Sequence, residues 1–185
     1  MTQAHQKSAR DFYFTIARIF DAPIEKVWDA WTNAEQLQKW FGPKGYDILQ
    51  NSMNLKVGGI YHYGLKTPQG TPYWGCWKFL EIKKPERMVF LMSFADENAK
   101  IVHNPWNNKW PLLTHSTITF EKINDQTKVT VILKPHEAEN AEYEAFQEGA
   151  ASMTQGWTGT LEQLEELFLK DHNKPKGKND ERGTC

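Results

Sequence analysis

Phe12, Phe14, Ile16 and Phe20 alternate with Tyr13, Thr15, Ala17 and Ile19, a period of two that predicts a first strand ending near residue 20. The period then changes. Val27, Trp28 and Trp31 fall at helical spacing behind Pro23, whose missing N–H suits a first helical position. Asp21 stands where a cap acceptor belongs. Short helices are therefore predicted over 23–31 and 34–40, and Gly42–Pro43–Lys44–Gly45 ends the second. Strand patterning returns at about 46–51, 58–66, 73–82, 87–95, 113–123 and 128–135. Pro68–Gln69–Gly70 and Asn124–Asp125–Gln126 mark hairpin turns among these strands. No helical segment separates them, so they are expected to pair antiparallel as neighbours.

From about Glu139 to Leu169, Phe146, Ala150, Met153, Trp157, Leu161, Leu164 and Phe168 recur at three- and four-residue steps. That pattern predicts one long helix with a core-facing stripe. Gly149, Gly156 and Gly159 interrupt it, each weakening an exposed helix by about 1 kcal/mol relative to alanine. Close approach of the sheet, or of a bulky guest, would explain them. The segment 171–185 is polar and aperiodic and reads as a disordered tail. Residues 1–11 read as a flexible start, which leaves 12–170 as a single domain.

Composition changes this picture in two ways. A net charge of −1 with 24% charged residues argues against electrostatic attraction to nucleic acid or anionic membranes. Aromatic residues reach 13%, with eight tryptophans, more than a core of this size ordinarily calls on, so some rings are expected to line a ligand site. The polar start has no charged-then-apolar leader, and no stretch approaches the roughly 18 apolar residues of a spanning helix. Cys76 and Cys185 make neither a disulfide framework nor a metal site. A cytoplasmic location without membrane insertion is expected.

Strand parity and helical stripes select the candidate ligand residues. Tyr61 and Tyr63 share a strand face and would offer hydroxyl handles; Trp77 and Phe79 share another with Met88, Phe90, Met92 and Phe94 on the next strand. Met153 and Trp157 on the long helix should face the same region, beside Trp40 and Phe41 at the end of the short helices. The segment from Ile101 to Pro111 carries Trp106 and Trp110, which should fold over something apolar as a lid. Arg18, on the parity of the phenylalanines, is expected to pack its stem and reach a rim carboxylate. His62, opposite in parity to the tyrosines, should face solvent. The six histidines show no helical pairing that would suit zinc, and only His115 merits watching as an acid or base. No nucleophile elbow, phosphate loop or dinucleotide fingerprint is present, so no catalytic residue, metal or cofactor is assigned.

The run from Phe20 to Trp31, with Trp40–Phe41–Gly42–Pro43, Gly58–Gly59, the segment from Leu80 to Arg87, and Gly156–Trp157 before Leu161 and Leu164, resembles the START-like, helix-grip (SRPBCC) superfamily. Within it the closest likeness is to the family related to the activator of heat-shock-protein-90 ATPase, over roughly residues 12 to 169. The resemblance implies an α+β fold: a curved antiparallel sheet of about seven strands, two short helices after the first, and a cavity between sheet and C-terminal helix. Three functions follow. The first, a binding protein holding a hydrophobic small molecule between sheet and helix, rests on the aromatic excess, the inward tyrosines, the glycine-notched helix and the tryptophan-bearing loop; the resemblance implies the other two. The second is a co-chaperone, although the two-domain eukaryotic relatives carry a preceding domain and only about ten residues precede the first strand here. The third is a cyclase-like enzyme using Tyr61, Tyr63 or His115. A tryptophan-bearing loop would equally suit a homodimer contact.

Overall fold

A computed structural model describes residues 8–172 of the chain. β1 (Phe14–Phe20) is followed by α1 (Ile24–Thr32) and α2 (Ala34–Leu37). Then come β2 (Asp47–Met53), β3 (Ile60–Lys66), β4 (Pro72–Lys83), β5 (Arg87–Ala95), β6 (Ile101–Val102), β7 (Thr114–Ile123) and β8 (Gln126–Pro135). α3 (Asn140–Glu148) and α4 (Ala150–His172) end the described chain. The strands form one antiparallel sheet in the order β1-β8-β7-β5-β4-β3-β2, with β6 beside the end of β5. Two residues are too few to show a period, which is why β6 is absent from the sequence reading. Among the described residues no helix is long and apolar enough to cross a membrane.

The sheet curls because its register slips. β4 gains a residue against β5 between Phe79 and Glu81, and β2 against β3 between Ile48 and Gln50; each bulge bends its strand and adds twist. The concave face takes Tyr61, Tyr63, Trp77, Phe79, Phe90, Ile118 and Phe120, all buried, against α4 residues Leu161, Leu164 and Phe168. α1 closes one end: Trp28 and Trp31 both meet Phe120, at 5.2 and 6.0 Å between ring centroids. Burial of each such ring contributes about 2–3 kcal/mol. Arg18 reaches across to the Glu165 carboxylate of α4, the rim partner its parity implies.

Three local expectations are corrected. α1 begins at Ile24, with Pro23 as its extended cap residue and no side-chain capping bond. The predicted single C-terminal helix divides at Gly149, which keeps near-helical angles so that the Met153 N–H still reaches its carbonyl at 3.0 Å. His62 does point away from the tyrosines, but it is buried. The β5–β6 turn comes over it, and its Nε2 meets the Asp96 carbonyl at 3.0 Å while Nδ1 lies 3.4 Å from the Gln50 amide. At the start of the described chain, Ala9–Asp11 form a 3-10 turn, and Arg10 bonds Asn140 of α3 at 2.7 Å. α4 continues to His172, two residues into the tail expected over 171–185; residues 1–7 and 173–185 lie outside the described residues.

Candidate functional site: an apolar cavity between sheet and helix

The concave face is not completely filled. A cavity of about 300 Å³ lies where β3, β4 and β5 face α4. Tyr63 and Leu65 come from β3, Tyr73 from β4, Met92 and Phe94 from β5, and Met153, Gly156, Trp157 and Thr160 from α4. Phe41, Gly42 and Pro43 close the remaining side. A second hollow of about 180 Å³ shares Tyr63, Tyr73, Met92 and Phe94, and is bounded by Trp110, Pro111 and Thr114.

Each wall is held from behind. The Trp157 indole stacks on Trp31 of α1, 6.3 Å between centroids and 12° from parallel, so the sequence of α1 sets its plane. Gly42 has φ +116°, where side chains are disfavoured, and this turns its carbonyl toward α4. There it accepts from Thr160 Oγ1 at 3.1 Å and Gln163 Nε2 at 2.6 Å. Gln163 also donates to the Trp40 carbonyl at 3.1 Å, so the 40–42 turn is clasped to α4 beside the cavity. Phe41 packs edge-on against Tyr63 at 5.1 Å and Trp77 at 4.9 Å. The Tyr63 ring itself lies across Gly75, where a Cβ would fall 2.3 Å from the phenol.

The cavity walls carry no carboxylate, imidazole, amine or guanidinium. Their polar groups are the Thr160 hydroxyl, already donating, and the phenols of Tyr63 and Tyr73. Burial is the main force pushing both phenol pKa values upward, reinforced by neighbouring tyrosines. Both therefore remain neutral hydroxyls at any physiological pH. Behind the wall, the Tyr61 hydroxyl and the indole N–H groups of Trp31 and Trp77 are buried without a hydrogen-bond partner. The arrangement suits an uncharged guest with one or two polar atoms; it supplies no acid or base of ordinary strength.

Of the sequence-selected residues, Phe41, Tyr63, Met92, Phe94, Met153 and Trp157 meet at this cavity. Trp40, Tyr61 and Trp77 sit one layer behind, fully packed; the Trp40 indole donates to the Ala30 carbonyl at 3.0 Å. Trp106 is 59% exposed and lies at the outer rim, its ring 5.1 Å from Tyr73 and 6.0 Å from Phe94. Trp110 anchors that loop: it packs on Phe146 at 5.3 Å and occupies the notch at Gly149, where a Cβ would stand 2.6 Å from its ring. The Leu112 N–H and the Glu139 N–H share the Glu142 carboxylate, which ties the loop base to the start of α3. His115 lies on the opposite face of the sheet, away from the cavity. Tyr73, Leu65 and Thr160 are wall residues absent from the sequence reading. Tyr73 was within its reach, since it shares strand parity with Trp77.

Among the described residues no three His, Cys, Asp or Glu side chains converge as metal ligands. Cys76 is a buried free thiol whose pKa burial pushes up, the reverse of an activated nucleophile.

The fold has close counterparts among solved structures. A protein from Arthrobacter aurescens superposes with a TM-score of 0.74 at 26% identity, covering 96% of this chain and all (100%) of that one. One from Staphylococcus epidermidis gives 0.68 at 26% identity, over 95% of this chain and 99% of that one. An AHSA1 protein from Silicibacter pomeroyi gives 0.67 at 15% identity, over 87% and 100%; at that identity the likeness is one of fold. No curated protein matches the chain. The family profile described as Activator of Hsp90 ATPase homolog 1-like protein matches residues 21–169. That span holds every strand of the helix-grip sheet except β1, together with the Trp31–Trp157 stack and the clasped 40–42 turn, and the chain belongs to the Activator of Hsp90 ATPase homolog 1-like family.

Proposed function

We propose that this protein binds a small, uncharged, largely apolar molecule in the cavity between the sheet and α4, without transforming it. The observation that carries this reading is the cavity's lining: aromatic and thioether walls, two neutral phenols and no ionisable group of ordinary pKa. An ionic ligand would be stripped of water there with no countercharge, a cost of several kcal/mol. A neutral ring system or short terpenoid loses nothing of that kind. The volume, about 300 Å³, sits at the lower end of small-molecule sites, which limits the guest to one or two fused rings or a short chain. Methionine at two wall positions, Met92 and Met153, adapts to irregular outlines.

Native mass spectrometry of gently purified protein, followed by thermal shifts against neutral aromatic and lipid compounds, tests the reading. A retained or stabilising compound that quenches tryptophan fluorescence, and whose effect weakens in Tyr63→Phe, supports it. Absence of any such compound, with wild type and Tyr63→Phe responding alike, overturns it. A rise in the ATPase rate of a purified chaperone on adding the protein would favour the activator role in the family's description instead.

A further inference from the structure

The outer face of the sheet carries a second concavity of opposite chemistry. A groove of about 420 Å³ is lined by Tyr13, Arg87, His115, Thr117, Ile132 and Lys134. Strand register assembles it. His115 of β7 lies opposite Lys134 of β8 and Leu91 of β5, and Thr117 lies opposite Ile132. Ser116 and Ile118, the alternate residues of β7, are fully buried toward α4, so the odd-numbered positions face outward.

The groove concentrates positive charge on a chain whose net charge is −1. None of its six walls is a carboxylate. Glu81 approaches Arg87 at its Nε, 3.4 Å away, and no other carboxylate pairs with Arg87 among the described residues. On its far side Arg87 borders a separate groove with Lys83, Glu86 and Glu121, where Lys83 holds Glu86 and Lys128 holds Glu121. Lys134 makes no ion pair among the described residues. His136 adds another imidazole 6.1 Å from the His115 ring, with Glu137 3.9 Å from its Nε2. Partial burial first, then Lys134, His136 and Arg87, hold the His115 pKa below its ordinary value. Like charges gathered on one face repel, and a bound anion relieves that repulsion.

We propose that this groove binds a small ligand bearing an oxyanion, a phosphate or carboxylate, with an apolar portion resting on Tyr13 and Ile132. The planar Arg87 fork and the Lys134 ammonium match an oxyanion's geometry and charge, while the hydroxyls of Tyr13 and Thr117 supply further donors. The occupant is the opposite of the neutral guest proposed for the inner cavity, and the two sites are separated by the thickness of the sheet. Bound anion favours protonated His115, so binding takes up a proton and tightens as the pH falls through the imidazole range.

The test is an NMR titration of the full chain with phenyl phosphate, benzoate, inorganic phosphate and neutral benzyl alcohol. Phenyl phosphate or benzoate is expected to move the amides of His115, Thr117 and Lys134, leave Trp157 unmoved, and raise the His115 pKa. The tighter of the two names the oxyanion. Affinity should fall with added salt and drop about tenfold in Lys134→Gln, the loss expected for one charge-assisted bond, and in Arg87→Gln. Arg87→Lys keeps the charge and removes the fork, so it should retain part of the binding and serve as a folding control. Equal response to benzyl alcohol, shifts confined to the inner cavity, or affinity unchanged in both Gln variants would overturn the proposal.

Discussion

Three glycines on one helical stripe look alike in the sequence and differ in space. At Gly149 a Cβ would meet the Trp110 ring at 2.6 Å, whereas at Gly156 and Gly159 it would meet nothing within 4 Å. Gly159 borders an outer groove with Lys44 and Glu162, so Gly159→Ala should stabilise the protein by up to about 1 kcal/mol through helix propensity alone. Gly149→Ala should do the reverse. The same propensity gain is offset by displacement of Trp110, leaving a net loss of about 1 kcal/mol. Urea denaturation of the two variants, side by side, checks both signs. A second residue-scale expectation concerns His115. Its folded pKa lies below the ordinary 6.5, so between that folded value and 6.5 the unfolded chain holds more protons. Stability is therefore complete above the window and falls as the pH drops through it. His115→Gln should lose less stability than wild type between neutral and mildly acidic buffer, measured by denaturant midpoints at each pH.

At the scale of elements, the segment between β6 and β7 has two parts with separate duties. Its base is fixed by Trp110 in the Gly149 notch and by Glu142 accepting from Leu112, while its outer part presents Trp106 to the rim rings Tyr73 and Phe94. Trp110→Ala should cost about 2 kcal/mol, less than a fully buried tryptophan because one side of the ring borders the smaller hollow. Trp106→Ala should leave stability within about 1 kcal/mol and act instead on the guest, raising its dissociation rate. Thermal unfolding and stopped-flow fluorescence separate the two effects. α4 and the 40–42 turn form the other coupled pair. Their clasp passes through one carbonyl, that of Gly42, which serves both Thr160 and Gln163.

At the scale of the molecule, bulged strands wrap α4 without filling the space beside it, so part of the apolar face stays open for a guest. Filling that space from within should compete with one supplied from outside. Gly156→Leu, whose side chain enters open volume next to Trp157, is expected to hold or raise stability and to abolish ligand uptake. In the wild type, a ligand at a hundredfold excess over its Kd should add about 2.7 kcal/mol and raise the Tm by roughly 5–10 °C. Calorimetry of both proteins with and without the compound decides the matter.

Period alone determined much of this protein. Alternation placed seven of the eight strands, the Phe146–Phe168 stripe placed the C-terminal helix, and the motif from Phe20 to Trp31 placed the closing helix α1. Those features are local, because side-chain direction follows backbone geometry within a few residues. Which aromatic rings border empty space and which are packed behind them was decided only by the tertiary structure. Tyr61 and Tyr63 share one strand face and Phe41 packs against both, yet Tyr61 is sealed and Tyr63 lines the cavity, a difference no strand parity distinguishes. The outer groove likewise exists only through the register that sets His115 of β7 against Lys134 of β8, with Arg87 of β5, opposite Thr119, bordering the same hollow. A hollow is a relation among distant segments, and no periodicity within one segment encodes it.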